Sequence, residues 1–245
     1  MADVSPSALG EFEKCSRCFW LGRNKKVKWP RGIFPSLPGG MDRKIKIHYD
    51  NHRSVNILPS EIEGQISKGL VLYPDQKKID SWRNYFKKTL TYSCPDTGGT
   101  LGGALDDLLQ DKDNRVAPLD YKTRGYPIKE DSHKYYITQM NCYALMLSEG
   151  PTQLELNGKA YLVFYSPRSI ISEEKPIGTN IALSDWLVEV VELKIDIEAA
   201  RKLVRDAVDC LQSAIPWAAR DCEQCKYIED RIDMLRDMKK AGEKT

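Results

Sequence analysis

Apolar and polar positions along this chain alternate between a period near 3.6 and a period near two, and the switches predict its elements. Ser5-Pro6-Ser7-Ala8-Leu9 opens a helix through Phe12 towards Cys15, with a hydroxyl to cap it and proline tolerated in its first turn. Residues 22–40, broken by Pro30, Pro35, Pro38 and several glycines, read as loop, and Met41–Arg53 reads as helix. Short helical candidates follow at 60–70 and 78–88, the second carrying Trp82, Tyr85 and Phe86. Leu90–Cys94 reads as a strand, turned by Gly98-Gly99 towards a second from Gly103 to Leu109. Asp111-Lys112-Asp113-Asn114 then separates that run from Val116–Thr123, a hairpin signal. From His133 to Leu147, Tyr136, Met140, Tyr143 and Leu147 repeat at three and four, and Gly150-Pro151 ends the helix.

Leu154–Leu156, Ala160–Tyr165 and the alternating stretch Trp186–Ile195 return to sheet. Glu198–Leu211 is a strong helix, and Lys226–Lys240 a charged one with a seam of Ile228, Ile232 and Leu235. This order implies a mixed α/β fold, a central sheet with the Asp106 and Asp120 strands in its middle and helices on both sides. A single domain over 1–245 is expected, with an N-terminal helical and basic portion (1–90), a catalytic core (91–200) and a C-terminal helical portion (201–245).

Composition narrows the classes. The chain has 245 residues, 41% of them apolar and 29% charged, enough for a substantial core. No stretch is long or apolar enough to span a bilayer, so no membrane partner is expected. Met1-Ala2-Asp3-Val4-Ser5 lacks the pattern of a signal peptide, and a cytoplasmic location is expected. Net charge is only +2, but from Arg23 to Arg53 Lys and Arg outnumber Asp and Glu by nine to two, a bias suited to a phosphate backbone. Among seven cysteines, two pairs stand at opposite ends, Cys15-x-x-Cys18 and Cys222-x-x-Cys225, together a tetrathiolate set for a metal or cluster.

Candidate chemistry concentrates between Gly103 and Lys122. In a strand, residues two apart share a face, so Asp120 and Lys122 point the same way, and Asp106 can approach from the neighbouring strand. Two carboxylates and an ammonium suit a divalent cation and a phosphate. Asp107 would face the other way, as a supporting or solvated residue, although a bulge would exchange it with Asp106.

Gly103-x-x-Asp106, then Asp120-x-Lys122, then Gln139-x-x-x-Tyr143 on the following helix resembles the PD-(D/E)XK nuclease superfamily, specifically its RecB-like branch. Cys15, Arg17, Phe19 and Trp20 extend that likeness to the N-terminus, and the iron–sulfur CRISPR-adaptation exonucleases are among the similar proteins. The resemblance implies a restriction-endonuclease-like fold. It implies Mg²⁺ or Mn²⁺ held by Asp106, Asp120 and the Tyr121 carbonyl, with Lys122 steadying the nucleophilic water and Gln139 and Tyr143 beside it. An additional early-helix ligand is expected at His48, with Glu61 and Glu63 as rivals. It also implies a [4Fe–4S] cluster on Cys15, Cys18, Cys222 and Cys225 joining the termini. The usual arrangement is one cysteine at the N-terminus and three at the C-terminus; the two-and-two arrangement here leaves Zn²⁺ as the alternative and Cys210 as a possible third C-terminal ligand.

The function so implied is a metal-dependent DNase, an exonuclease on single strands or ends in repair, recombination or CRISPR-type defence. Expected partners are DNA, a separate helicase or integrase, and further copies of the chain. A nucleic-acid-binding scaffold or adaptation accessory without stand-alone activity is the alternative. No Gly-x-x-x-x-Gly-Lys-Ser/Thr loop occurs within these residues, so they hold no P-loop motor.

Overall fold

The computed structural model describes residues 3–27, 32, 36–171 and 183–242. Strand β1 (Asp3–Val4) leads into helices α1 (Pro6–Lys14), α2 (Ser16–Asn24) and α3 (Ser36–Ser54). Then come β2 (Val71–Leu72), α4 (Gln76–Arg83), β3 (Thr91–Ser93), β4 (Thr100–Gly102), β5 (Asp107–Gln110) and β6 (Val116–Thr123). Helix α5 (Ile137–Glu149), the long strands β7 (Lys159–Ile171) and β8 (Leu183–Lys194), and helices α6 (Ile197–Gln212) and α7 (Glu223–Gly242) complete the order.

Local chemistry sets several boundaries. Ser5 caps α1 by accepting from the Ala8 amide at 3.3 Å, with Pro6 in the first turn. Asp196 caps α6 through the Ala199 amide at 2.9 Å. Several expectations need correction. Residues 16–24, partly assigned to loop, form α2, and α3 starts at Ser36, because Pro38 falls in its first turn where a missing N–H costs nothing. Residues 60–65 form turns rather than a helix, with the Ile62 and Glu63 amides both bonded to the Pro59 carbonyl. Leu156 contributes only an isolated bridge to Val116. The strand expected from Gly103 begins at Asp107, so Gly103–Asp106 is a loop.

The main sheet has the order β2-β5-β6-β7-β8. Only β6 and β7 run parallel, and α5 supplies the crossover that a parallel pair requires. The fold is a mixed α/β sheet flanked by helices, with β6 at its centre. A second, three-stranded sheet, β1-β4-β3, borders it. Alternation along β6 divides the core. Val116, with Leu108, Leu162 and Phe164 of the neighbouring strands, packs in one cluster with Met140 and Tyr143 of α5. Ala117, Leu119 and Tyr121, with Leu109, Tyr161 and Val163, pack in the other with Ile45 and Tyr49 of α3.

Asp107 breaks this apolar pattern. It is fully buried, and its carboxylate accepts from Arg53 Nη2 at 2.6 and 2.7 Å, from Arg83 Nη2 at 3.2 Å and from the Tyr121 hydroxyl. Arg83 also grips Asp50 at 2.8 and 2.9 Å. The reading of Asp107 as solvated is therefore overturned: it faces the α3 side, where two guanidinium groups require a counter-charge. Removing one partner of such a set leaves the others buried and uncompensated. Asp107→Ala is expected to cost about 3–5 kcal/mol; chemical denaturation would check it, and a loss under about 1 kcal/mol, the range of an exposed ion pair, would refute the account.

Candidate active site

The loop Gly103–Asp106 is pressed against α5. A Cβ at Gly103 would lie 2.7 Å from Met146 Cε, so a side chain here would have to displace the end of Met146. Leu105 N donates to the Trp82 carbonyl at 3.1 Å and Arg83 Nε to the Asp106 carbonyl at 2.7 Å, which fixes the loop's backbone. Asp106 is thereby delivered to the edge of β6, where its Oδ2 accepts from the Tyr121 amide at 3.3 Å. Its Oδ1 meets Lys46 Nζ of α3 at 2.8 Å.

Asp120 lies on the α5 side of β6 and is 1% exposed. Burial first, and then the neighbouring Asp106 charge, pushes its carboxyl up to about 7, against the opposing pull of Lys122. Lys122 Nζ pairs with Asp120 Oδ2, donates to Gln139 Oε1 at 3.1 Å and lies 4.6 Å from the centre of the Tyr136 ring. Asp120 Oδ2 itself has no hydrogen bond of ordinary geometry. Gln139 Nε2 continues the chain to the Tyr143 hydroxyl at 2.6 Å. Burial, then Asp120 and Asp106, raise the Tyr143 phenol well above its ordinary value, so it stays neutral.

Asp106, Asp120, Lys122, Gln139 and Tyr143 are thus brought together at one end of β6. Their two carboxylates carry hard oxygen donors in a place poor in water, suited to a divalent cation. His48 is engaged elsewhere: its Nε2 lies 2.8 Å from Glu61 Oε1, the oxygen that also accepts from the Tyr165 hydroxyl at 2.9 Å. Glu63 is exposed. Sequence reasoning missed Lys46, Arg53 and Arg83, which hold Asp106, Asp107 and the loop. Lys46 carried one signal, its place four residues after Asp42 in the basic stretch, and Nζ does reach Asp42 at 2.9 Å.

The four cysteines expected as a set converge. Cys15 lies between α1 and α2, Cys18 one turn into α2, Cys222 just before α7 and Cys225 in its first turn. The sulfurs of Cys18 lie 3.5 Å from both Cys222 and Cys225, and Cys15 lies 3.8 Å from Cys225. All four lie within 4.8 Å of one another, and no other compact set of three or more His, Cys, Asp or Glu ligand atoms occurs among the described residues. Cys210 is outside this set. Although burial raises it, Cys15 is pulled down to about 7 by the Ala219 and Cys18 amides and nearby thiols. Burial, against the lowering pull of Cys18 and helped by Cys222 and Cys15, pushes Cys225 up to about 11, and burial with the adjacent sulfurs pushes Cys18 higher still. One thiolate is tolerated there; four require a cation. Around the cluster, Arg17 donates to the Pro216 carbonyl and pairs with Glu229, both at 3.0 Å, and Trp20 Nε1 donates to the Ser213 carbonyl at 3.0 Å.

Residues 50–229 match the PD-(D/E)XK nuclease superfamily. The chain belongs to that superfamily. No curated protein matches it. The match takes in both carboxylates, Lys122, Gln139 and the C-terminal cysteine pair, and nuclease-type hydrolytic chemistry on nucleic acid is the activity typical of its members. Among the described residues no helix is long and apolar enough to cross a membrane.

A carboxyl raised by folding holds its proton more tightly in the folded state. The metal-free fold therefore carries a penalty above pH 7, relieved progressively as pH falls through about 7 towards the unfolded value of 3.8. Asp120→Asn should accordingly raise the stability of the metal-free protein at pH 8, by about 1–2 kcal/mol, and by less at pH 5. Thermal melts in chelator at the two pH values would check this; a lower Tm for the variant at pH 8 would contradict it.

Proposed function

We propose that this chain is a metal-dependent DNase of the RecB-like branch, hydrolysing phosphodiester bonds at DNA ends or in single strands. The observation that carries the proposal is the convergence of Asp106, Asp120, Lys122 and Gln139 at one end of the central strand. Asp106, Asp120 and the Tyr121 carbonyl would hold Mg²⁺ or Mn²⁺, which supplies polarisation of a phosphoryl oxygen and a more acidic bound water. Lys122, steered by Gln139 and the face of Tyr136, would position that water and offset negative charge developing on the phosphate. Tyr143 holds Gln139 in place as a neutral phenol. His48 would join the metal only by leaving Glu61. A role in repair, recombination or CRISPR-type defence, with a helicase or integrase partner and a cytoplasmic setting, follows the resemblance alone.

One observation favours the scaffold alternative. Lys46 and Lys122 already neutralise Asp106 and Asp120, as in a protein needing no metal. Cleavage of labelled single-stranded and duplex DNA in Mg²⁺ or Mn²⁺ separates the readings. Asp106→Ala, Asp120→Ala and Lys122→Ala are each expected to lower turnover on the order of 10²–10³-fold while leaving most DNA affinity. A folded wild type that cuts neither substrate, ends included, would leave the scaffold.

For the cysteines we propose a single tetrahedral ion, Zn²⁺, in place of the [4Fe–4S] cluster. A Zn–S length of about 2.3 Å sets neighbouring sulfurs ~3.8 Å apart, close to the separations of 3.5 and 3.8 Å between these pairs. In a cubane each cysteine binds a different iron, and the sulfurs stand further apart around the iron–sulfide body. Metal analysis of anaerobically purified protein should find about one zinc per chain and no visible absorbance band. Brown protein with about four irons would restore the cluster. Cys225→Ser should lower Tm and loosen the metal.

A further inference from the structure

Beside the catalytic residues the chain raises a short aromatic spur. Residues Tyr85–Lys87 form a single 3-10 turn directly after α4. Its geometry is fixed: the Asn84 side chain accepts from the Phe86 amide at 3.0 Å, and Lys88 N donates to the Tyr85 carbonyl at 3.2 Å. Lys88 closes the turn in the left-handed region at φ 50°, and Ser81 Oγ bonds Thr89 Oγ1 at 3.0 Å across its base. This rigid turn presents Phe86 at 92% exposure and Tyr85 at 48%, their rings 6.1 Å apart and edge to face. Lys87 has no carboxylate partner among the described residues, and Lys88 has only a long pairing with Asp3 at 3.7 Å.

The spur is continuous with the active site. Tyr85 lines a cavity of about 290 Å³ together with Gly102, Gly103, Gln139 and Tyr143. It also lines an adjoining one of about 230 Å³ with Gly102, Gly103 and Lys88. Between ring and catalytic residues runs Gly102-Gly103-Ala104, in which Gly103 is packed against Met146 and Tyr143 and Gly102 is part-exposed. A Cβ at Gly102 would meet nothing nearer than Thr91 Cγ2 at 3.8 Å, so this side is open.

We propose that Tyr85 and Phe86 form a stacking platform for unpaired bases, so that the site receives a single strand of DNA whose backbone passes Lys87 on its way to Asp106 and Asp120. The inference deepens the nuclease reading above and rests on it for the direction of the strand. Aromatic faces bind any base, and an adjacent ammonium meets the phosphate, which is the recurring chemistry of single-strand binding. Paired bases inside a duplex keep their faces covered and cannot use the ring. The other strong exposed surface, the seam of Ile228, Ile232 and Leu235 on α7, carries no such argument, since nothing shows what covers it.

The test measures binding apart from cleavage, with Ca²⁺ replacing Mg²⁺ and the full chain titrated against fluorescent oligo-dT or a duplex of equal length. Phe86→Ala is expected to weaken single-strand binding about tenfold and to leave duplex binding nearly unchanged, with Phe86→Trp restoring it. A 2-aminopurine in the oligonucleotide should be quenched by the wild type and not by Phe86→Ala. Both rings are exposed, so unchanged melting temperatures would show the variants folded. Equal affinity and equal quenching in wild type and Phe86→Ala, or equal weakening for both DNA forms, would overturn the platform even if the protein cuts DNA. Persistent stacking in a protein that cuts nothing would sink only the nuclease reading.

Discussion

The buried carboxylate of Asp107 is the constraint on which the rest of the site depends. It is the point where α3, α4, β5 and β6 meet, through Arg53, Arg83, itself and Tyr121. An anion fully out of water is tolerable only with such a set of donors. Because Arg83 also holds the Asp106 carbonyl, the same set fixes the backbone of the residue before it. Asp106 therefore comes to the edge of β6 as a consequence of how Asp107 is satisfied. Asp107 thus anchors the start of β5, while Asp106, in the loop before it, reaches the Tyr121 amide and Lys46.

Much of this was legible in the chain. The spacing Asp120-x-Lys122 placed both side chains on one face, and Gln139 and Tyr143, four apart on a helix, meet them through a hydrogen bond at each step. The cap at Ser5 and the β5–β6 turn follow from local residue chemistry alone. What stayed hidden is non-local. Nothing near Arg53 or Arg83 in sequence signals that each will face a buried aspartate more than twenty residues away. The start of β5 was missed because Gly103-Ala104-Leu105 reads as strand, whereas contact with Met146 and the Trp82 carbonyl holds it as loop. The early-helix ligand expected at His48 from the resemblance instead pairs with Glu61, which a turn rather than a helix supplies.

The four cysteines bring α2 to the start of α7, residues separated by about two hundred positions, and a metal bound there would close a long loop and remove much of the unfolded chain's freedom. A cleft of about 920 Å³ runs from Cys15, Cys18 and Cys222 past Tyr135 and Tyr136 to Gln139. Tyr136, whose ring face lies against Lys122, is thus in the wall shared by the two sites. A metal that fixes α1 and α2 against α7 would hold that wall still without touching the reacting atoms.

Two aspartates on one strand pair illustrate how a fold distinguishes structure from chemistry. Asp107 has two guanidinium groups and a phenol around its carboxylate. Asp120 is as deeply buried yet has one ammonium and an oxygen without a hydrogen bond, and its proton is held up to about 7. A carboxylate so placed gains from any cation that can reach it, and the cavity lined by Gly102, Gln139 and Tyr143 leaves a way in. Under-satisfaction of this kind is costly to stability and tends to persist where function requires it. On the proposed nuclease reading, the donors withheld from Asp120 are what a bound cation would supply, with Lys46 and Lys122 displaced on their long stems.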